Sequence, residues 1–261
     1  MKINKKNYKI NGYIKIKNFL PKSLLLKIKK ELSDIIFGVA KHLLIKVDKN
    51  DFDYLINNIL PKIYIKDKTK GAYIFDVASR LNIFRDLTNY SKTIKTISTL
   101  LEIPSSKILS AKFSLFLFTK YHKKNSIGWH QESGYYSDPK FKEYQYLDKN
   151  NSMFTWIPIT NTWSGNGALV LMSKSHNEKN ILHNKNLFKN RYEVSPNTRG
   201  ELYINNFKLL KKKYKEIEIS SKSGDIIFVN SNTLHKSGKN FTDKTRVGVI
   251  MRFGEKSEIN Y

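Results

Sequence analysis

The run Ile108-Leu109-Ser110-Ala111-Lys112-Phe113-Ser114-Leu115-Phe116-Leu117-Phe118-Thr119 marks a change of character in the chain. Leu109, Ala111, Phe113, Leu115 and Leu117 alternate with Ser110, Lys112, Ser114 and Phe116, a period near two that suits a strand with one face buried. Similar runs follow at Met153–Ile159, Ala168–Met172, Ile217–Ile219, Asp225–Val229 and Arg246–Phe253. Turn residues separate them, in Ser164-Gly165-Asn166-Gly167, Ser223-Gly224-Asp225 and Ser237-Gly238-Lys239-Asn240. Short strands punctuated in this way predict a mainly β fold, a sandwich or jelly-roll barrel.

Upstream of this run the spacing is helical. Residues 8–20 read as a strand or short hairpin around Gly12, and Pro21 opens a packing helix with Leu24, Leu25, Ile28, Leu32, Ile35 and Ile36 on one side. A second helix is expected over Asp51–Leu60, stopped by Pro61, and a third over Ser91–Leu101 with Ser91 as its N-cap; residues 73–90 are expected to be partly helical. Residues 1–261 thus divide, within one domain, into a helical flank (1–105) and a β core (106–256), with a lid insertion over 175–214.

Composition narrows the function. The absence of cysteine excludes disulfides, thiolate nucleophiles and Cys-ligated metals, so a metal here must use His, Asp or Glu. No apolar run is long enough to span a bilayer, and the basic N-terminus lacks the apolar stretch of a secretory leader, so a cytoplasmic protein is expected. The net charge of +25 raises the question of nucleic acid, but of 47 basic residues only six are arginines (Arg80, Arg85, Arg191, Arg199, Arg246, Arg252) and the lysines are dispersed. That pattern predicts a solvated surface without specific nucleic-acid recognition, able to attract anionic substrates.

Gly128-Trp129-His130-Gln131-Glu132-Ser133-Gly134-Tyr135-Tyr136 carries the chemistry. In an extended segment His130 and Glu132 project to one face, with Trp129 and Gln131 on the other. An imidazole and a carboxylate make two thirds of the two-histidine, one-carboxylate facial triad of non-heme iron. The remaining histidines are His42, His122, His176, His183 and His235. His176 and His183 fall in the lid, where a solvated role is the simpler reading; His235 follows a strand closely and is the candidate third ligand. A hairpin centred between Asn240 and Phe241 would set His235 opposite Arg246. On the returning strand Val247, Val249, Met251 and Phe253 share one face, leaving Arg246, Gly248, Ile250 and Arg252 on the other. An inward arginine needs an anion, and Gly248 beside it leaves space for one.

These segments resemble the phytanoyl-CoA dioxygenase family of Fe(II)- and 2-oxoglutarate-dependent oxygenases. The matching pieces are Gly128-Trp129-His130-Gln131-Glu132, Phe154-Thr155-Trp156-Ile157-Pro158-Ile159, Gly165 to His176, and Gly224-Asp225-Ile226-Ile227-Phe228 leading to His235 and Arg246. The resemblance implies a double-stranded β-helix (jelly-roll, cupin-like) core with flanking helices. It implies Fe(II) on His130, Glu132 and His235, and 2-oxoglutarate held by Arg246 with Ser237 and Trp156 lining its pocket; no catalytic residue is expected beyond the metal ligands. O2 would be the third reactant, and a small-molecule substrate, possible forms being anionic or carrier-linked, would be hydroxylated. One departure stands out: the family pattern is His-x-Asp, and this chain has Glu132, whose arm is longer by one carbon–carbon bond, about 1.5 Å. Asp138 is the alternative carboxylate. A catalytically silent β-helix protein that binds an anionic partner is the rival from another class, and a zinc or manganese cupin enzyme the third reading.

Overall fold

The computed structural model describes residues 3–78, 80–118, 128–136, 146–181, 183–186, 201–204 and 207–256. The strands are β1 (Tyr13–Ile16), β2 (Ile108–Phe118), β3 (Leu147–Pro158), β4 (Leu169–Met172), β5 (His183–Asn186), β6 (Glu201–Ile204), β7 (Glu216–Ile219), β8 (Ile226–Asn230), β9 (His235–Ser237) and β10 (Arg246–Lys256). They form a five-stranded sheet in the order β1-β8-β3-β10-β2, a three-stranded sheet β7-β4-β9 and the pair β5-β6. Every pairing is antiparallel.

Alternation along the large sheet explains the layers. Val247, Val249, Met251 and Phe253 of β10, Met153 and Ile157 of β3, and Ile226 and Phe228 of β8 pack in one core with the helices. The intervening residues Ile250, Phe154, Trp156, Ile227 and Val229 point the other way and meet Leu169, Leu171 and Ile219 of the small sheet. The second set is the interior of a jelly roll. Both faces of the large sheet are therefore buried, which is why its central strands are almost continuously apolar.

The helices are α1 (Lys5–Asn11), α2 (Lys22–His42), α3 (Phe52–Tyr54), α4 (Leu60–Lys66), α5 (Lys68–Ala78), α6 (Asn82–Thr88), α7 (Ser91–Leu101), α8 (Glu132–Tyr136) and α9 (Phe207–Lys213). Ile28, Leu32 and Ile36 recur every fourth residue on α2 and are at most 1% exposed, so α2 docks through that stripe; each such side chain stabilises by roughly 2 kcal/mol. Among the described residues no helix is long and apolar enough to cross a membrane.

Several local expectations need correction. Residues Lys5–Asn11 are helical, and Gly12, at φ 78°, ends the helix and starts β1 in place of a hairpin. Pro61 does not stop its helix. The chain widens to a π turn over Leu55–Ile59, where Leu60 N–H donates to the Leu55 carbonyl, and Pro61 sits just after that turn, inside one continuous helical run. Ser91 is the first residue of α7, preceded by Tyr90 with no side-chain cap. The region 175–214 contains β5, β6 and α9, while 187–200 lie outside the described residues.

Candidate metal centre

The hairpin expected to set His235 against Arg246 does not form. β9 pairs with β4 in the small sheet, whereas β10 pairs with β2 and β3 in the large one. Consecutive strands here alternate between sheets, so closeness in sequence does not make His235 and Arg246 neighbours. His235 stands between Leu171 of β4 on one edge and His130 on the other. The backbones of His130 and His235 form an isolated antiparallel bridge, each N–H donating to the other's carbonyl at 3.0 Å. This reciprocal pair places two imidazoles side by side, with ring centres 4.2 Å apart.

Glu132 does not continue a strand past His130. It opens the short helix α8, whose start is tied down by the Ser133 N–H on the Ser231 carbonyl at 3.1 Å. The turn swings the carboxylate under the histidines: Oε1 lies 3.8 Å from His130 Nε2 and 3.6 Å from His235 Nε2. One ligand atom from each of the three residues falls within 4.8 Å of the others, and all three are buried.

The second ring nitrogens settle the tautomers. His130 Nδ1 is 2.8 Å from the Gly128 carbonyl and His235 Nδ1 is 2.9 Å from that of Thr233. A carbonyl only accepts, so each Nδ1 carries the proton and each Nε2 lone pair faces the cluster, as a metal ligand requires. His235 Nε2 has no hydrogen-bond partner. Burial and the neighbouring His130, opposed by Glu132, push the His235 imidazole down to about 4, so it is neutral at physiological pH. Burial would raise the Glu132 carboxyl, but the Arg252 guanidinium overcomes it and holds it well below the usual carboxylate range. Two imidazoles with Nε2 directed inward, one anionic carboxylate and an unsatisfied buried nitrogen fit a divalent cation.

Arg246 sits on the inner face of β10, 2% exposed, with Nη1 donating to the Gly167 carbonyl at 2.7 Å. Burial lowers it to about 10, which leaves it protonated. Its guanidinium lies over the Trp156 indole, 4.8 Å from the ring centre. The space expected beside Gly248 is filled: a Cβ there would collide with the six-membered ring of Trp156. Gly248 thus lets the indole lie flat on the backbone beneath Arg246. Ser237 pairs with Leu169 and so lies on the inner face of the small sheet, two residues beyond His235.

Three residues have roles at the site that sequence reasoning did not assign. Gln131, expected on the opposite face, is fully buried: its amide donates to the carbonyls of Asn232 at 2.6 Å and Lys179 at 2.7 Å and accepts from the Ile181 N–H at 2.8 Å. His183 is only partly exposed; its Nε2 accepts the Gln131 N–H at 3.0 Å, and burial, with repulsion from His130, pushes it down to about 4. Arg252, expected only to share a strand face with Arg246, donates from Nε to Glu132 Oε2 at 2.6 Å. The one available signal was its parity with Arg246 on β10. Tyr135 and Tyr136 pack with Ala111 and Leu147, and His176 bonds the Lys9 carbonyl at 3.0 Å, far from any ligand role. Asp138 and His122 lie outside the described residues.

The profile of the phytanoyl-CoA dioxygenase family matches residues 8–248, which is nearly the whole chain. The chain belongs to the phytanoyl-CoA dioxygenase family. Solved structures show the same fold at low identity. The non-heme monooxygenase ThoJ is 14% identical with a TM-score of 0.59, the alignment covering 96% of this chain and 76% of that one. EctD from S. alaskensis, solved with bound Fe, is 12% identical with a TM-score of 0.59, covering 96% and 75%. The epimerase SnoN, solved with Fe3+, alpha ketoglutarate and nogalamycin RO, is 12% identical with a TM-score of 0.58, covering 96% and 82%. No curated protein matches the sequence. Within the phytanoyl-CoA dioxygenase family this member keeps the His-x-carboxylate order but carries the carboxylate as Glu132.

Proposed function

We propose that this chain is an Fe(II)- and 2-oxoglutarate-dependent dioxygenase that hydroxylates a small-molecule substrate, with the metal on His130, Glu132 and His235. The observation that carries the reading is the buried convergence of two Nε2 lone pairs and one carboxylate oxygen, with both tautomers set by backbone carbonyls. A bound iron would let O2 oxidise 2-oxoglutarate and substrate together, one oxygen atom entering the succinate formed with CO2 and the other hydroxylating a substrate carbon.

The chain's own residues hold and shield that chemistry. Gly128 and Thr233 keep the imidazoles oriented, and the Phe154 ring, 4.3 Å from that of His235, covers the ligand on its sandwich side and excludes water. Arg246, charged and buried, is the donor for the distal carboxylate of 2-oxoglutarate, with Trp156 as its floor and Ser237 on the facing sheet. The substrate class is supported by structurally similar proteins: EctD was solved with 5-hydroxyectoine and SnoN with nogalamycin RO, both small molecules. The net charge of +25 favours an anionic or carrier-linked substrate. A cytoplasmic setting belongs to the same reading, because a reducing compartment keeps iron ferrous.

Anaerobic Fe(II) titration with and without 2-oxoglutarate tests this. The expected results are one bound Fe(II), a weak visible charge-transfer band on adding 2-oxoglutarate, and succinate release on admitting O2. Glu132→Ala should lose all three. A wild-type protein that takes up no Fe(II) would support the silent-protein reading instead.

A further inference from the structure

The two oxygens of Glu132 have different surroundings: only Oε1 faces the histidines, while Oε2 has the shorter bond to Arg252. Oε1 faces both imidazoles, at 3.8 Å and 3.6 Å. Oε2 accepts the Arg252 Nε–H at 2.6 Å, and a second guanidinium nitrogen, Nη2, reaches Oε1 at 3.3 Å. Both side chains are buried, Glu132 at 1% and Arg252 at 6% exposure, and the pair joins α8 to β10 across the sandwich. We propose that Arg252 is the positioning residue of this metal centre: it holds the outer oxygen of Glu132 so that the longer side chain presents Oε1 alone to the metal. The inference rests on the iron reading above and deepens it.

The reason lies in the extra methylene. Glutamate has one more rotatable bond than aspartate, and a carboxylate free to turn can chelate through both oxygens. A second carboxylate oxygen on the metal would occupy a position that a facial triad must leave open for cosubstrate and O2. A guanidinium fork engages a carboxylate edge in a fixed plane, so it restrains that rotation in a way a lysine ammonium does not. The backbone cannot absorb the extra length by retreating, because the Ser133 N–H is held on Ser231 and Gln131 is bonded on three sides. The added reach is spent on meeting Arg252. An aspartate at 132, shorter by about 1.5 Å, would not span the distance from the two Nε2 atoms to Arg252.

Arg252 and Arg246 therefore have separate tasks on one strand. They are six residues apart on the same face of β10, a rise of about 20 Å, and Arg246 is anchored at Gly167 while Arg252 meets α8.

The test uses the full-length wild type, Arg252→Gln, Arg252→Lys, Glu132→Asp and the double variant Glu132→Asp/Arg252→Gln. Each is titrated anaerobically with Fe(II), and separately with Co(II), whose visible absorption reports coordination number. Arg252→Gln should weaken Fe(II) binding about 10- to 100-fold and alter the Co(II) spectrum, with Arg252→Lys recovering only part of either. In the Glu132→Asp background the Arg252→Gln change should shift affinity less than about threefold, since the shorter arm does not reach residue 252. Wild-type affinity and an unchanged Co(II) spectrum in Arg252→Gln overturn the proposal. So does an equal loss in both backgrounds, which assigns Arg252 a purely structural role. If Arg252→Gln fails to fold, Arg252→Lys, which keeps the charge and loses the fork, decides by the same two readouts. A wild type that binds neither metal overturns the iron reading and this inference with it, whereas wild-type binding with unperturbed variants overturns this inference alone.

Discussion

Arg246 and Gly248 act as one unit at the residue scale, with the Trp156 indole between them. Arg246→Leu removes the buried charge that the distal carboxylate of 2-oxoglutarate would meet. Cosubstrate binding should weaken by about 2 to 5 kcal/mol, read as the concentration of 2-oxoglutarate needed to develop the visible band. Unchanged affinity in a folded Arg246→Leu protein would remove Arg246 from the site. Gly248→Ala forces the indole off the strand and should destabilise by about 1 to 3 kcal/mol, the usual cost of overpacking a filled core. Because Arg246 rests on that ring, the same change should also raise the half-saturating concentration of 2-oxoglutarate. A Gly248→Ala protein with unaltered thermal stability would mean that the indole has room to move.

At the scale of elements, specific polar side chains add to the shared core that joins the two halves of the chain. His176, in the turn after β4, reaches back to the Lys9 carbonyl of α1 and packs on Gly12. Burial depresses this imidazole below its usual 6.5, with the Lys9 carbonyl opposing. A depressed histidine means that the unfolded chain binds the proton more readily, so the contribution is complete above pH 6.5 and is lost as pH falls below it. The difference in melting temperature between wild type and His176→Gln should therefore shrink on acidification from neutral pH. A constant difference across that range would show that His176 titrates alike in both states. The segments of the candidate metal centre depend on a similar long-range link. His130 and His235 are set opposite each other by two backbone hydrogen bonds between segments more than a hundred residues apart, and Gln131 ties the same segment to the carbonyl of Asn232.

On the scale of the whole molecule, the charge of +25 is distributed rather than organised. Where lysines do gather, at Lys15, Lys17 and Lys222, they line a groove of about 390 Å³ with Asn161, Ser220 and Asp225 and without an aromatic side chain. Its polar groups are partly engaged: Lys15 donates to the Ser220 carbonyl, and Asp225 accepts backbone N–H groups of Asn18 and Lys222. Such a surface should bind short DNA or RNA at low salt through counterion release and release it near physiological salt. Tight, sequence-selective binding at that salt would instead show a nucleic-acid role.

What the chain determined by itself was whatever depends on local periodicity and residue chemistry. The alternation on β10 separated Val247, Val249, Met251 and Phe253 from Arg246, Ile250 and Arg252, and the structure keeps that division because a strand has no other way to place successive side chains. The absence of cysteine confined the candidate ligands to His, Asp and Glu, and the order of motifs pointed to the family. Pairing across space was not legible. Whether His235 faces Arg246 or His130 depends on which sheet β9 joins, a choice made by packing of the two sheets and not by the turn between β9 and β10. The space beside Gly248 belonged to an indole from another strand, and the partner of Glu132 proved to be an arginine 120 residues away. Contacts of that separation are set by tertiary packing, because the local chain carries no signal for a partner it meets only when the sandwich closes.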